Sequence, residues 1–362
     1  MRKIISSTIA FGLVLAWAAL PALAQGITTP RTASPASKIS QTIGISTVTV
    51  SYSRPAVKGR EVWGKLVPYG WTVQPGGTKF ETPWRAGANE NTVIEFSHNA
   101  TVAGKAVPAG SYGLFFVINN DNTGEVVLSK DYRSWGNYSY DPAQDLMRAP
   151  IKIRDNALTE LLTYEFINLD KNAGELVLNW EKKQFPVSIA FAVDELVMAN
   201  AKQELKGVQQ FGWQGYATAA TYSLQNKVDM EQGMKWADQA IALNSTFTTL
   251  NIKSGLLQEM GKTAEAEKYK KDALAIATEP ELNNYGYQLV GQTKYDKAIE
   301  VFKLTTERFP KSANAWDSLG EGYALKGDSK NAIASFKKSL SMNPPDNVRA
   351  NSEKYLKQLG AM

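Results

Sequence analysis

The stretch ANAWDSLGEGYALKGDSKNAIASFKKSLSMNP, residues 313–344, decides the fold of the last third of the chain. Within it Gly320, Ala332, Ile333, Phe336 and Pro344 repeat Gly286, Ala298, Ile299, Phe302 and Pro310 at an offset of 34 residues. Same-type matches at one such offset mark stacked helical hairpins. That part of the protein reads as a scaffold for holding something.

Working outward, the helical period begins near Asp194. Leu196, Val197, Ala201 and Leu205 fall on one face, with Asp194 placed to cap a connecting helix. Gly261, Thr293 and Gly327 mark hairpin corners. Val348, Leu356 and Leu359 give a last helix with one apolar face, the polar-backed cap that a solenoid needs.

Upstream, from Ile43 to about Ala192, the pattern is β. Val48, Val50 and Tyr52 alternate with Thr49 and Ser51, the period of a half-buried strand. Further short strands are expected at Thr92–Phe96, Thr101–Ala103, Ala106–Val107, Ser111–Ile118, Glu125–Lys130, Ile151–Arg154, Thr159–Leu169, Glu175–Glu181 and Val187–Ala192. Short strands joined by tight turns, with no helices between, predict an antiparallel sandwich or a partly closed barrel. Residues 54–90 break the pattern with Trp63, Trp71, Trp84 and several prolines and glycines, and only Glu61–Val67 offers a turn or two of helix. Long irregular loops in compact domains tend to be functional.

The N-terminus reads as a leader. Arg2 and Lys3 precede an apolar run from Ile4 to Leu20, and Ala22-Leu23-Ala24 supplies a cleavage site before Gln25. The expected organisation is a signal peptide over 1–24, a flexible linker over 25–40, an all-β antiparallel domain over 41–193 and an all-α repeat solenoid with a capping helix over 194–362. Export to a periplasm or the cell exterior follows, with no membrane span after cleavage. The chain has no cysteine, which excludes disulfides and thiolate chemistry. Residues 25–195 carry 17 basic and 17 acidic side chains, and no dense basic stripe appears, so nucleic acid is not an expected partner.

The C-terminal third resembles the tetratricopeptide repeat family. Trp316, Leu319, Gly320, Tyr323, Ala332, Phe336 and Pro344 stand where that family has its signature, and Gly286, Leu289, Ala298, Phe302 and Pro310 form the unit before. Weaker units fit residues 247–278, with Lys270 where an aromatic is usual, and about 214–246. The resemblance implies a protein or peptide partner on the inner face of the first helix of each hairpin. The positions it points to are Pro280, Asn283, Tyr287, Asn314, Asp317 and Glu321. They are neutral or acidic, so a basic clamp for a peptide carboxylate is not evident.

The β region resembles an uncharacterised family of exported bacterial domains, over about residues 35–190. Tyr52-Ser53-Arg54-Pro55, Lys58-Gly59-Arg60, Leu66-Val67-Pro68-Tyr69-Gly70, Trp84-Arg85-Ala86-Gly87-Ala88-Asn89-Glu90, Pro108-Ala109-Gly110-Ser111-Tyr112 and Trp135-Gly136 carry the likeness. Trp71–Pro83 looks like an insertion. The family brings no activity with it.

The one histidine, His98, has no second catalytic or metal partner in the sequence, so neither a Ser-His-Asp triad nor a metal centre is expected, and no cofactor. Arg54, Lys58, Arg60, Tyr69, Trp84, Arg85, Asn89 and Glu90 lie in or beside the long loop and are the candidate site for a polar small molecule or glycan. The competing structural reading has the aromatics pinning the loop and the arginines capping its turns. Trp135, Tyr138 and Tyr140 form a second aromatic cluster with the same ambiguity, while Trp180 reads as core. The function expected is non-catalytic binding. The alternative is a carbohydrate-active hydrolase using carboxylates such as Glu81, Glu90 or Glu95.

Overall fold

A computed structural model describes residues 33–362. The leader and the first half of the linker lie outside the described residues. The chain divides into two compact units, meeting at Phe191 and Ala192.

The first unit holds strands β1 (Ala36–Ile43), β2 (Ser46–Ser53), β3 (Thr72–Val73), β4 (Glu81–Thr82), β5 (Val93–Phe96), β6 (Ala100–Val102), β7 (Lys105–Val107), β8 (Gly110–Ile118), β9 (Thr123–Ser129), β10 (Asp145–Lys152), β11 (Arg154–Ile167) and β12 (Ala173–Ala190). One antiparallel sheet runs β1-β2-β5-β8-β9-β10 and the other β11-β12-β6-β7, with β3 and β4 as a small separate hairpin. The sheets meet through aromatic contacts. Tyr52 of β2 packs edge-on against Tyr164 of β11 at 4.7 Å, and Phe116 of β8 meets Phe185 of β12 at 5.2 Å. Val48, Val50, Ile94, Phe96, Leu178 and Ile189 are fully buried between them. The expected antiparallel sandwich is what forms.

Several sequence expectations shift. β1 begins at Ala36, inside the stretch read as linker, and pairs along its length with β2. It is a mostly exposed edge strand, so its Ser, Lys and Gln side chains hide the strand signal. Glu175–Glu181 and Val187–Ala192 are one strand, β12, because Glu181 takes a left-handed φ of 52° and bulges without ending the ladder. Glu61–Val67 is a turn: Gly64 N–H donates to Val67 O, and Val67 N–H to Val62 O.

The second unit is a run of helices: α1 (Val193–Glu204), α2 (Trp213–Asn226), α3 (Met230–Leu243), α4 (Phe247–Glu259), α5 (Thr263–Ile276), α6 (Glu279–Gly291), α7 (Tyr295–Arg308), α8 (Ala313–Lys326), α9 (Ser329–Leu340) and α10 (Asp346–Gln358). The repeat signature has a direct packing cause. A Cβ on Gly286 would stand 2.2 Å from the Phe302 ring, and one on Gly320 would stand 2.8 Å from Phe336. Glycine lets the paired helices close, and phenylalanine fills the joint. Gly261, Thr293 and Gly327 all take left-handed φ at the corners. Asp194 does not cap α1. It lies in the first helical turn, where its Oδ1 accepts from Tyr222 Oη at 2.7 Å. Among the described residues no helix is long and apolar enough to cross a membrane.

Candidate functional site

The tryptophans of the long loop turn inward. Trp84 N–H donates to Phe116 O and Phe116 N–H returns to Trp84 O, which ties the loop to β8. Trp84 then stacks on Trp180 at 5.7 Å, with Trp63 edge-on to both. Trp63 and Trp180 are buried, Trp180 as expected, while Trp84 keeps a half-exposed surface.

That surface helps line a hollow of about 310 Å3. Arg60, Trp84, Arg85 and Asn89 border it, joined by Asn137 and Trp180 and by Thr72, Gln74 and Thr82 from the β3–β4 hairpin. The segment read as an insertion thus builds part of the wall. The structure brings together four of the eight residues expected here.

The other four are placed elsewhere. Arg54 fixes β11, with Nε to Leu162 O at 2.9 Å and Nη2 to Thr163 Oγ1 at 2.6 Å. Lys58 is exposed, and its backbone N–H donates to Glu160 Oε1. Tyr69 is half-exposed and covers Gly64. Glu90 borders a different hollow with Lys38, Ser51 and Asn91. Arg54 thus holds a strand edge and Tyr69 a turn, Glu90 faces another surface, and Lys58 makes its contact through the backbone alone.

Arg85 is the charged centre of the hollow. Its Nη1 donates to Asn89 O at 2.9 Å and its guanidinium lies 5.8 Å from the centre of the Tyr138 ring. Burial pushes its pKa down, and Tyr138 opposes the shift. Gly136, at φ 62°, lets it in: a Cβ there would meet Arg85 Nη1 at 2.5 Å. Arg60 hydrogen-bonds the carbonyls of Val57 and Ala56. No carboxylate pairs with either arginine, and no Asp or Glu lines the hollow, among the described residues.

Sequence reading missed Asn137 and Trp180 as wall residues. Asn137 is 4% exposed, and its Nδ2 donates to Thr82 Oγ1 and Pro83 O, which fixes the amide so that Oδ1 has no partner. Trp180, 2% exposed, has an unpartnered Nε1–H, and Asn89 has an unpartnered Nδ2. An unsatisfied buried polar group costs about 1–3 kcal/mol, and three of the residues that carry one also line this hollow. The signal for Asn137 was its place beside Trp135-Gly136. Nothing local marked Trp180.

Of the second aromatic cluster, Tyr140 is buried and donates to Asp145, whereas Trp135 and Tyr138 are largely exposed. His98 shares a hydrogen bond with its neighbour Ser97. Glu81 and Glu95 are exposed on β4 and β5 and do not line the hollow.

In the repeats, four of the six candidate partner residues bind one another's helices. Tyr287 Oη donates to Glu321 Oε2 at 3.0 Å and lies 3.3 Å from Ser318 Oγ, which donates to Asn283 Oδ1 at 2.7 Å. Asp317, 5% exposed, accepts from Ser352 Oγ and from Asn351 Nδ2 at 2.8 Å. Burial, then the nearby Glu321 charge, raises its pKa against those hydrogen bonds. This ladder joins α6, α8 and α10. Asn314 is half-buried beside it. The more open part of the first-helix face is between α2 and α4, a hollow of about 400 Å3 bordered by Trp213, Thr218, Gln225, Thr248 and Ile252.

Comparisons with known proteins follow the same division. No curated protein matches the chain. Among solved structures, YrrB, described as a TPR protein with an unusual peptide-binding site, is 17% identical over 44% of this chain and 84% of that one, with a TM-score of 0.27. PilW, described as a widely conserved type IV pilus biogenesis factor, is 20% identical over 47% and 80%, with a TM-score of 0.28. PilF of Pseudomonas aeruginosa is 20% identical over 42% and 71%, at 0.27. Residues 34–189 match the family described as a protein of unknown function, DUF2911, and residues 313–346 match the tetratricopeptide repeat, so both resemblances carried by the sequence are met, each in its own unit.

Proposed function

We propose that this is an exported, non-catalytic binding protein whose repeats dock a protein or peptide partner and whose sandwich holds a polar ligand. The observation carrying the first part is the run of hairpins closed at Gly286–Phe302 and Gly320–Phe336, a scaffold that presents first-helix faces side by side. Within it, the α2–α4 hollow is the docking place, because the residues of the α6–α8–α10 ladder already satisfy one another. The hollow around Arg85 supports the second part. The hydrolase alternative gains no support, since glycoside hydrolysis needs two carboxyls across a cleft and this hollow has none in its wall.

The test of docking is comparative crosslinking in envelope extracts. Thr218 and Gln225 are exposed on α2, so Thr218→Arg with Gln225→Arg blocks the hollow without touching the core. A partner crosslinked to the parent chain and lost from the doubly substituted, still helical chain supports docking there. An unchanged crosslinking pattern removes that face from consideration. Cell fractionation with N-terminal sequencing tests export: a mature chain beginning at Gln25 outside the cytoplasm is expected, and an intact Met1 in the cytoplasm rejects it.

A further inference from the structure

Resting on that reading of the sandwich, we infer that the Arg85 hollow binds a small hydroxylated anion, a monosaccharide-sized molecule carrying a carboxylate or phosphate. Charge sets the first requirement. Arg60 and Arg85 border the hollow with no acidic side chain in its wall, and Arg85 is half-buried. A guanidinium in that setting lacks a counter-charge that a planar or tetrahedral oxyanion supplies.

The second requirement comes from the unpartnered atoms. Trp180 Nε1–H and Asn89 Nδ2 are donors and want acceptor oxygens. Asn137 Oδ1 is an acceptor whose amide is held in place by Thr82 and Pro83, so it wants a donor. A bare anion offers acceptors only, whereas an anion with hydroxyl groups offers both. The half-exposed indole of Trp84 provides an aromatic surface for a sugar ring. A volume of about 310 Å3 suits one ring rather than a chain of them.

The experiment uses the full chain in a thermal-shift and titration-calorimetry series with glucuronate, glucose 6-phosphate, neutral glucose and inorganic phosphate at matched ionic strength. One or both charged sugars should raise the Tm by a few degrees at saturation. Arg85→Gln should weaken that binding about tenfold or more, and Arg60→Gln, at an exposed position, serves as the second variant should Arg85→Gln fold poorly. Glucuronate alone acting assigns the carboxylate, and glucose 6-phosphate alone the phosphate. Equal stabilisation by neutral glucose overturns the anion assignment but leaves a polar-ligand site standing. An equal effect of inorganic phosphate overturns the need for hydroxyls. No response to any of the four overturns both this assignment and the ligand-binding reading of the sandwich, and binding unchanged in both variants places the ligand elsewhere.

Discussion

Asp317 and Asn137 are both about 95% buried polar side chains, yet they are treated in opposite ways. Asp317, in the repeats, has each carboxylate oxygen occupied by a neighbouring helix. Asn137, in the sandwich, uses its donors on Thr82 and Pro83 and leaves its acceptor unpartnered, and two other residues lining the same hollow also carry an unpartnered polar atom. Buried polar groups are normally satisfied. A satisfied one reports structure, whatever its family position suggests, and an unsatisfied one in a residue that lines a hollow is what the proposed ligand site rests on. The comparison therefore moves attention from the ladder, where family positions pointed, to the α2–α4 face and the Arg85 hollow.

The closed side should break hardest. Gly286→Val puts branched carbon into the Phe302 ring at a joint with no slack, and overpacking of this kind costs about 1–3 kcal/mol, or more where the backbone cannot shift. Thermal unfolding followed by helical circular dichroism should show the loss in the helical signal. A Tm within a degree of the parent would mean that the joint is looser than its geometry. Next comes Asp317→Leu. It strands Ser352 Oγ, which is fully buried, and weakens the hold on Asn351. Leaving a buried donor without its acceptor costs about 1–3 kcal/mol, here with no overpacking added, read as a lower urea midpoint at unchanged slope. An unaltered midpoint would make the ladder ornamental and return those residues to the list of docking candidates.

The two regions also differed in how far sequence could see. Gly286 and Phe302 touch, and because the same contact recurs between Gly320 and Phe336, one offset in the sequence exposes both. The sandwich has no such redundancy. Its long loop was visible as an irregularity, but the direction of Trp63 depended on Trp180 and Phe185, more than 100 residues away. Likewise the hollow is assembled from Arg60, Arg85, Asn137 and Trp180, segments that only the folded sheets bring together. β1 escaped notice for a simpler reason. Its edge position lets polar residues stand where a central strand would show alternating apolar ones.

Lys270 is the place where the closed region is least settled, standing where repeats of this kind usually have an aromatic. Its Nζ lies 3.7 Å from the centre of the Tyr285 ring and donates to Asn251 Oδ1 at 2.7 Å. Burial pulls its pKa down from 10.5 to about 8, with Glu267 opposing and Lys297 assisting. Between about pH 8 and 10.5 the unfolded chain then binds more protons than the folded one, so this residue's contribution to stability rises with pH across that window. At pH 7 the buried ammonium is a net burden, and Lys270→Met should stabilise by about 1 kcal/mol once solvent screening of its exposed part is allowed for. The gap between parent and variant should narrow as pH climbs from 7 to 10. A constant gap would show that the Tyr285 face and Asn251 hold the cation without cost.

The smallest effect is the one that separates the two regions most cleanly. Arg85→Gln removes a half-buried charge whose hydrogen bond to Asn89 O a glutamine amide can in part replace, and no carboxylate is left stranded by its loss. Desolvation already works against the guanidinium, and the Tyr138 ring returns only part of that. The expected change in unfolding free energy is within about 0.5 kcal/mol, the range of substitutions that break no buried network. An arginine in a costly setting that adds no stability fits the proposed binding role, the usual trade at functional sites. Urea unfolding of Arg85→Gln beside Asp317→Leu makes the comparison directly. Were Arg85→Gln to lower stability as much as Asp317→Leu, Arg85 would belong with the ladder as a structural residue.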